Sequence, residues 1–255
     1  MAKIVTVHSF RGGTGKSNLS ANLTTALALQ GLRVAVFDTD LASPGIHVLF
    51  GFSPGADELL LNDYLQAGAQ IRQCAHEVTP PAVKAARGHI WLVPAAMSGD
   101  RIAKLLREGY EVERLNDAFF DLADQLKLDV IVVDTHPGIN EETLLTAAIS
   151  DCLLMAMRPD AQDYLGTAVA IEVAQRLDVP SVQLVVNMLP DHFDHDQVLQ
   201  RVKDSYGVQV GCLLPLSEEL HDLASSGVAL LSFPDHRWSD GVRRLAASIS
   251  ADLGL

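Results

Sequence analysis

Short continuous apolar runs alternate with longer stretches whose apolar positions recur every three to four residues. Lys3–His8, Arg33–Asp38, His89–Pro94 and Asp129–Asp134 are runs of the first kind, and Cys152–Met157, Val182–Asn187 and Val208–Leu213 continue the series. Continuous rather than alternating hydrophobicity is what strands covered on both faces require. Between the first two runs, Ser17–Gln30 places Leu19, Leu23, Ala26 and Leu27 on one helical face, and Gly31 stands where a C-cap glycine belongs. Helices are also predicted over Ala56–Ala67, Glu111–Lys127, Gln162–Leu177, Asp196–Tyr206, Ser217–Ser225 and Ser239–Asp252. Strands alternating with helices predict an α/β fold: a doubly wound, mostly parallel sheet flanked by helices. No repeat, low-complexity tract or linker divides the chain, so residues 1–255 are read as a single domain. Thr79-Pro80-Pro81 is the segment expected to form an exposed excursion.

Composition narrows the function. The 255 residues are 48% apolar and 20% charged, enough for a substantial core. A formal net charge of −13 repels phosphate backbones and anionic lipid on average, which disfavours a protein that coats DNA by bulk charge. Cys74, Cys152 and Cys212 lie far apart with no CxxC pairing, as expected of core thiols in a reducing compartment. No apolar run approaches the roughly 20 residues of a membrane span. The first residues lead straight into a strand rather than a signal peptide, so a cytoplasmic location is expected.

The chemistry concentrates in Gly12-Gly13-Thr14-Gly15-Lys16-Ser17, between a predicted strand and a predicted helix. Glycines let successive N–H groups turn inward around an anion, and the helix start adds its positive dipole end. Lys16 would reach the β- and γ-phosphates of a nucleotide, and the Ser17 hydroxyl would coordinate Mg²⁺. Asp134 closes an apolar strand, where a carboxylate can hold the same metal through a water. Asp38 and Asp40 follow the second strand. Asp40 is suited to orient the attacking water and Asp38 to support the metal shell. A guanine-reading NKxD is missing: Asn187-Met188-Leu189-Pro190-Asp191 lacks the lysine and has its aspartate one place late, which favours adenine.

The ordinary phosphate-loop pattern is GxxxxGK[ST], but here its first position is Phe10 and the next Arg11. A basic residue followed by GGxGK[ST] resembles the deviant Walker A motif of the MinD/ParA ATPases. The resemblance covers nearly the whole chain. Phe37–Asp40 resembles that family's switch I, and Asp134–Asn140 its Walker B and switch II. Val185–Asn187 and Leu214–Ser217 resemble its adenine-contacting segments, and Ala224–Gly227 through Phe233–Asp235 its C-terminal layout. The resemblance implies a Mg²⁺-dependent ATP hydrolase that forms a homodimer around ATP and dissociates after hydrolysis. It implies nucleotide contacts from Gly12, Gly13, Thr14, Gly15, Lys16, Ser17, Asn18, Asn187 and Pro215, and a metal site of Ser17, Asp38 and Asp134. Lys16, Asp40 and Arg11 are the implied catalytic residues. Arg11 departs from the family: it replaces the signature lysine that reaches the partner's phosphates. A guanidinium can grip phosphate bidentately and so serve as an arginine finger in trans.

Family members differ in cargo and acting surface. The resemblance implies positioning or partitioning of a plasmid, a division site or a protein assembly, with a protein activator or cargo adaptor as partner. The C-terminal Arg243–Leu255 has two arginines and a small apolar face, which make a poor membrane anchor, and it reads as a packed helix. His236, Arg237, Arg243 and Arg244 keep DNA binding open, although the net charge does not indicate it. The competing reading is a metallocentre-maturation or cluster-carrier ATPase of the same fold, which the unpaired cysteines disfavour. A small-molecule ligase lacks identifiable acceptor residues. Asp191–Asp196 mimics a metal cluster, but its spacing suits a helix start capped by Asp194 better.

Overall fold

The computed structural model describes residues 1–55 and 57–255. The first half of the chain runs β1 (Lys3–His8), α1 (Lys16–Ala28), β2 (Arg33–Asp38), α2 (Ile46–Leu49), α3 (Leu61–Ala67), β3 (His76–Glu77), α4 (Pro81–Ala85), β4 (His89–Val93), α5 (Gly99–Glu108) and α6 (Val112–Leu126). The second half runs β5 (Val130–Asp134), α7 (Glu141–Ala148), β6 (Cys152–Met157), α8 (Ala161–Arg176), β7 (Val182–Leu189), α9 (His195–Tyr206), β8 (Gln209–Pro215), α10 (Glu218–Asp222), α11 (Ala229–Ser232) and α12 (Arg237–Leu253).

Among the described residues the strands form one eight-stranded sheet in the order β3-β4-β2-β5-β1-β6-β7-β8. Only the two-residue β3 runs antiparallel, against β4. After β1 the chain builds outward on one side through β2 and β4, returns to β5, then crosses to β6 on the other side. The carboxyl ends of β1, β5 and β2 therefore lie together where the winding reverses, which is where ligands bind in open α/β sheets.

Pleating sends alternate residues to opposite layers. Val34 and Val36 of β2 enter the core beneath α1 and α12, with Val130 and Val132 of β5. Ala35, Phe37, Ile131 and Val133 enter the opposite core with α3 and α6. A third cluster joins β6 and β7 to α8 and α9. Helix α1 is buried almost throughout, because α2, α11 and α12 cover the side turned from the sheet. The one-sided stripe expected of it understates this enclosure.

The predicted elements appear with ends shifted by at most three residues, save one. The helix expected over Ala56–Ala67 is confined to Leu61–Ala67, because the Asp63 carboxylate accepts the Leu60 N–H at 2.9 Å and starts it there; Ala56 lies outside the described residues. The Thr79-Pro80-Pro81 excursion is corrected. Thr79 is buried, its hydroxyl accepts the Ile90 N–H at 3.0 Å, and Pro81 opens α4. A proline at a first helical position gives up no hydrogen bond. Asp194 caps α9 as expected, accepting from Asp196 N and Gln197 N. No helix among the described residues is long and apolar enough to cross a membrane.

Candidate nucleotide site

The loop from Ser9 to Gly15 joins β1 to α1. Gly13 and Gly15 sit at φ +80° and +82°, backbone that a side chain would strain. Gly15 is also crowded, since a Cβ there would meet Asn187 Nδ2 at 2.5 Å. That amide donates to the Thr14 carbonyl at 2.9 Å, while Asn187 Oδ1 accepts the Trp238 indole N–H at 3.2 Å. The buried Asn187 thus ties the loop to β7 and α12. Helix α1 has no side-chain cap, so its first N–H groups remain available to an anion. The Thr14 hydroxyl is buried without a hydrogen-bond partner among the described residues, and Lys16 is itself buried. A cradle of free donors and a buried ammonium fits a polyphosphate.

Strand register assembles the acidic side. Asp38 and Asp134 are partners across β2 and β5, and Val7 pairs with Asp134 across β1 and β5. The Asp134 carboxylate accepts the Ser20 hydroxyl at 3.0 Å. Burial raises it to about 6, against the pull of Ser17, Lys16 and Ser20. Asp38 is fully buried, and its oxygens accept the N–H groups of Asp40 (3.2 Å), Gly45 (3.0 Å) and Ile46 (3.3 Å). Burial, then Asp134, pushes it well above the carboxylate range. Asp40 is raised by burial and held down by His136, whose Nε2 lies 4.0 Å away, by Ser43 N–H and by Lys16. Burial lowers the Lys16 ammonium, and the aspartates 134, 40 and 38 oppose that. Three carboxylates that burial makes reluctant to ionise form a site that a divalent cation would relieve. Ser17 and Asp134, side by side at the loop, present donor oxygens of the hard kind that Mg²⁺ takes.

His8 lies beneath this site. Its Nδ1 is 2.7 Å from the Thr135 hydroxyl, which donates its own proton to the Val7 carbonyl at 3.0 Å. His8 therefore carries its proton on Nδ1. Burial, aided by Lys16 and His136, lowers it to about 3, so it is neutral.

Asn18, Asn187 and Pro215 meet in a cavity of about 540 Å³ closed by Met188, Leu216, Leu220, His221 and Trp238. The cavity opens beside Gly15 and has the size and apolar lining of a pocket for a planar base. Trp238, whose indole N–H fixes Asn187, was not foreseen: the predicted helix began one residue after it, at Ser239.

Arg11 is turned toward its own subunit. Its Nη1 is 3.5 Å from Asp163 and 3.9 Å from Asp160 at the start of α8. Arg158 binds the same two carboxylates, at 3.3 and 3.2 Å. The three cysteines stay apart, with Cys74 and Cys152 buried and Cys212 half-buried. Among the described residues no three His, Cys, Asp or Glu side chains converge closely enough to hold a metal unaided, neither Asp191–Asp196 nor Asp38, Asp40 and Asp134, so a cation beside Asp134 would need phosphate oxygens as well.

Known proteins share this fold and parts of this sequence. Residues 1–250 match the model of the ParA family, described as NUBPL iron-transfer P-loop NTPase. An uncharacterised ATP-binding protein of Methanocaldococcus jannaschii is 26% identical over 250 residues, covering 98% of this chain and 88% of that protein. The flagellum site-determining protein YlxH of Helicobacter pylori is 29% identical over 187 residues, 73% of this chain and 58% of the relative. The septum site-determining protein MinD of Pyrococcus horikoshii, solved with Mg-ADP, shares the fold at a TM-score of 0.83 and 18% identity, covering 100% of this chain and 98% of that one. With a phosphate loop of the deviant type and a family match along almost its whole length, the chain belongs to the ParA family of P-loop NTPases.

Proposed function

We propose that this protein hydrolyses ATP with Mg²⁺ and that its ATP-bound form is a homodimer that positions or partitions a cellular cargo through a protein partner. The observation that carries the reading is the meeting of the Lys16 ammonium with Asp134, Asp40 and Asp38 at the mouth of an uncapped helix. Ser17 and Asp134 would hold Mg²⁺, which when bound would supply positive charge against the phosphoryl group in transfer. Lys16 neutralises the phosphates, and Asp40 orients the attacking water. Asp38, clasped by three backbone amides, shapes the loop that carries Asp40 and supports the metal site from behind. Arg11 reaches the partner's phosphates once it leaves Asp163.

The site-determining roles in the names of YlxH and MinD support a positioning function. The iron-transfer description of the family model supports a cluster carrier instead. Against that stand three thiols that burial raises to about 12, 11 and 12, none adjacent to another. The test is steady-state hydrolysis alongside nucleotide titration. Lys16→Ala should lose nucleotide binding, whereas Asp40→Ala should bind ATP and turn it over poorly. Undiminished turnover by Asp40→Ala would remove the water-orienting role.

A further inference from the structure

One buried carboxylate near the site has no part in the scheme above. Glu142 lies in the first turn of α7, two residues past its cap, Asn140. Its Oε2 accepts a hydrogen bond from the Tyr110 hydroxyl. Its Oε1 is sealed from solvent without a hydrogen-bond partner among the described residues. Burial raises this carboxyl above its ordinary range; the Tyr110 and Thr39 hydroxyls and His136 oppose the shift, and Asp40 adds to it. Burying a carboxylate with half its acceptors unmet is costly, and an apolar side chain at this position would avoid the cost.

The residues that bear on this carboxyl come from three segments. The first is the end of β2, where Thr39 donates both its N–H (2.9 Å) and its hydroxyl (3.1 Å) to the Asp134 carbonyl and leads directly into Asp40. The second is 134–140, which brings His136 to within 4.0 Å of Asp40 and ends at the α7 cap. The third is the link between α5 and α6, where Tyr110 packs against the core beneath β2 and β5. Burial, and then Glu142 itself, raises the Tyr110 phenol, so it remains a donor at physiological pH.

We propose that Glu142, pinned by Tyr110, is a positioning residue for hydrolysis. It holds the Thr39–Asp40 segment and the 134–140 segment in one fixed relation, so that the Asp40 carboxylate meets the attacking water in place. It touches no substrate and acts through Asp40, and so rests on the role given to Asp40 above. Placement errors of about 1 Å slow reactions up to about a hundredfold without weakening ground-state binding, so the effect belongs in kcat.

Tyr110→Phe deletes one hydroxyl and keeps the ring. On the full chain it should lower kcat about tenfold while KM for ATP and the unfolding midpoint change little. Glu142→Ala should lower kcat at least as far, Glu142→Gln, which can still accept from Tyr110, should recover part of the loss, and Tyr110→Phe with Glu142→Ala should be no slower than Glu142→Ala alone. Three results would overturn the inference: parental kcat in Tyr110→Phe and Glu142→Ala while Asp40→Ala is inactive, additive losses in the double variant, or losses matched by weaker ATP binding or a lower midpoint. Full activity in Asp40→Ala would instead sink the role of Asp40 and this inference with it.

Discussion

The Arg11 guanidinium stands 3.5 Å from the Asp163 carboxylate of its own chain, a side chain only 2% exposed. Asp163 Oδ2 accepts the Arg158 N–H at 2.9 Å, whereas Oδ1 has no hydrogen bond among the described residues and lies 3.5 Å from Arg11 Nη1. The residue that would act in trans is thus held in cis by an ion pair, and Arg158 stays behind as countercharge if it leaves. A half-exposed pair of this kind contributes about 1 kcal/mol at most, so the tether is weak enough for a phosphate to displace.

From this follows the expected behaviour of Arg11→Ala. In urea it should unfold within about 1 kcal/mol of the parent, yet lose at least about tenfold in steady-state turnover, as enzymes deprived of an arginine finger do. Unchanged turnover would confine Arg11 to its tether.

Asn187 predicts a different pattern. Its amide bridges the Thr14 carbonyl and the Trp238 indole, so Asn187→Ala leaves two buried polar groups unpaired. Stability should fall by about 1–3 kcal/mol per orphaned group. Adenine nucleotide should also bind more weakly, because the phosphate loop loses its brace and the base cavity a wall. Chemical unfolding and calorimetric titration check the two effects separately.

The pH dependence of the nucleotide-free protein carries the signature of His8. Folded His8 stays neutral down to about 3, whereas the unfolded residue protonates below its ordinary 6.5. Between those values the unfolded state binds more protons, so this group removes stability as pH falls, by about 1.4 kcal/mol per unit. Asp134 has the opposite sign: folded, it takes up its proton near 6, ahead of the unfolded carboxyl at 3.8, and adds stability on acidification. His8→Asn removes only the first effect. The gap between parent and variant should shift in the variant's favour by about 2 kcal/mol between pH 6.5 and 5, measured by urea unfolding at each pH. A constant gap would mean that His8 takes up its proton in the fold as it does in the unfolded chain.

Local chemistry made the strands and the phosphate loop readable. Runs such as Val130–Val133 and the glycines before Lys16 state their own conformation, and Asp38 and Asp134 could be placed because each closes such a run. The remaining contacts depend on residues distant in sequence. Nothing around Asp163 signals that Arg11, 152 positions earlier, will meet it, and nothing marks Gly166 as the gap that receives Phe10. A Cβ on Gly166 would stand 2.0 Å from Phe10 Cδ1, so the non-glycine at the head of the motif is matched by a missing side chain on α8. Asp38 was read as a metal-shell residue from its spacing alone; that three backbone amides would surround it follows from the path of residues 40–46. Helix α7 went unpredicted, as did the short α2, α4 and α11. The start of Glu141–Ala148 is marked by the Asn140 cap rather than by an apolar stripe.

Whether ATP makes this chain a dimer is read by sedimentation velocity of Asp40→Ala with Mg²⁺ and either ATP or ADP, since slow turnover preserves the triphosphate. A species of twice the 27.5 kDa chain mass is expected with ATP and the single chain with ADP. A single chain under both nucleotides, at concentrations where ATP is bound, would contradict that expectation.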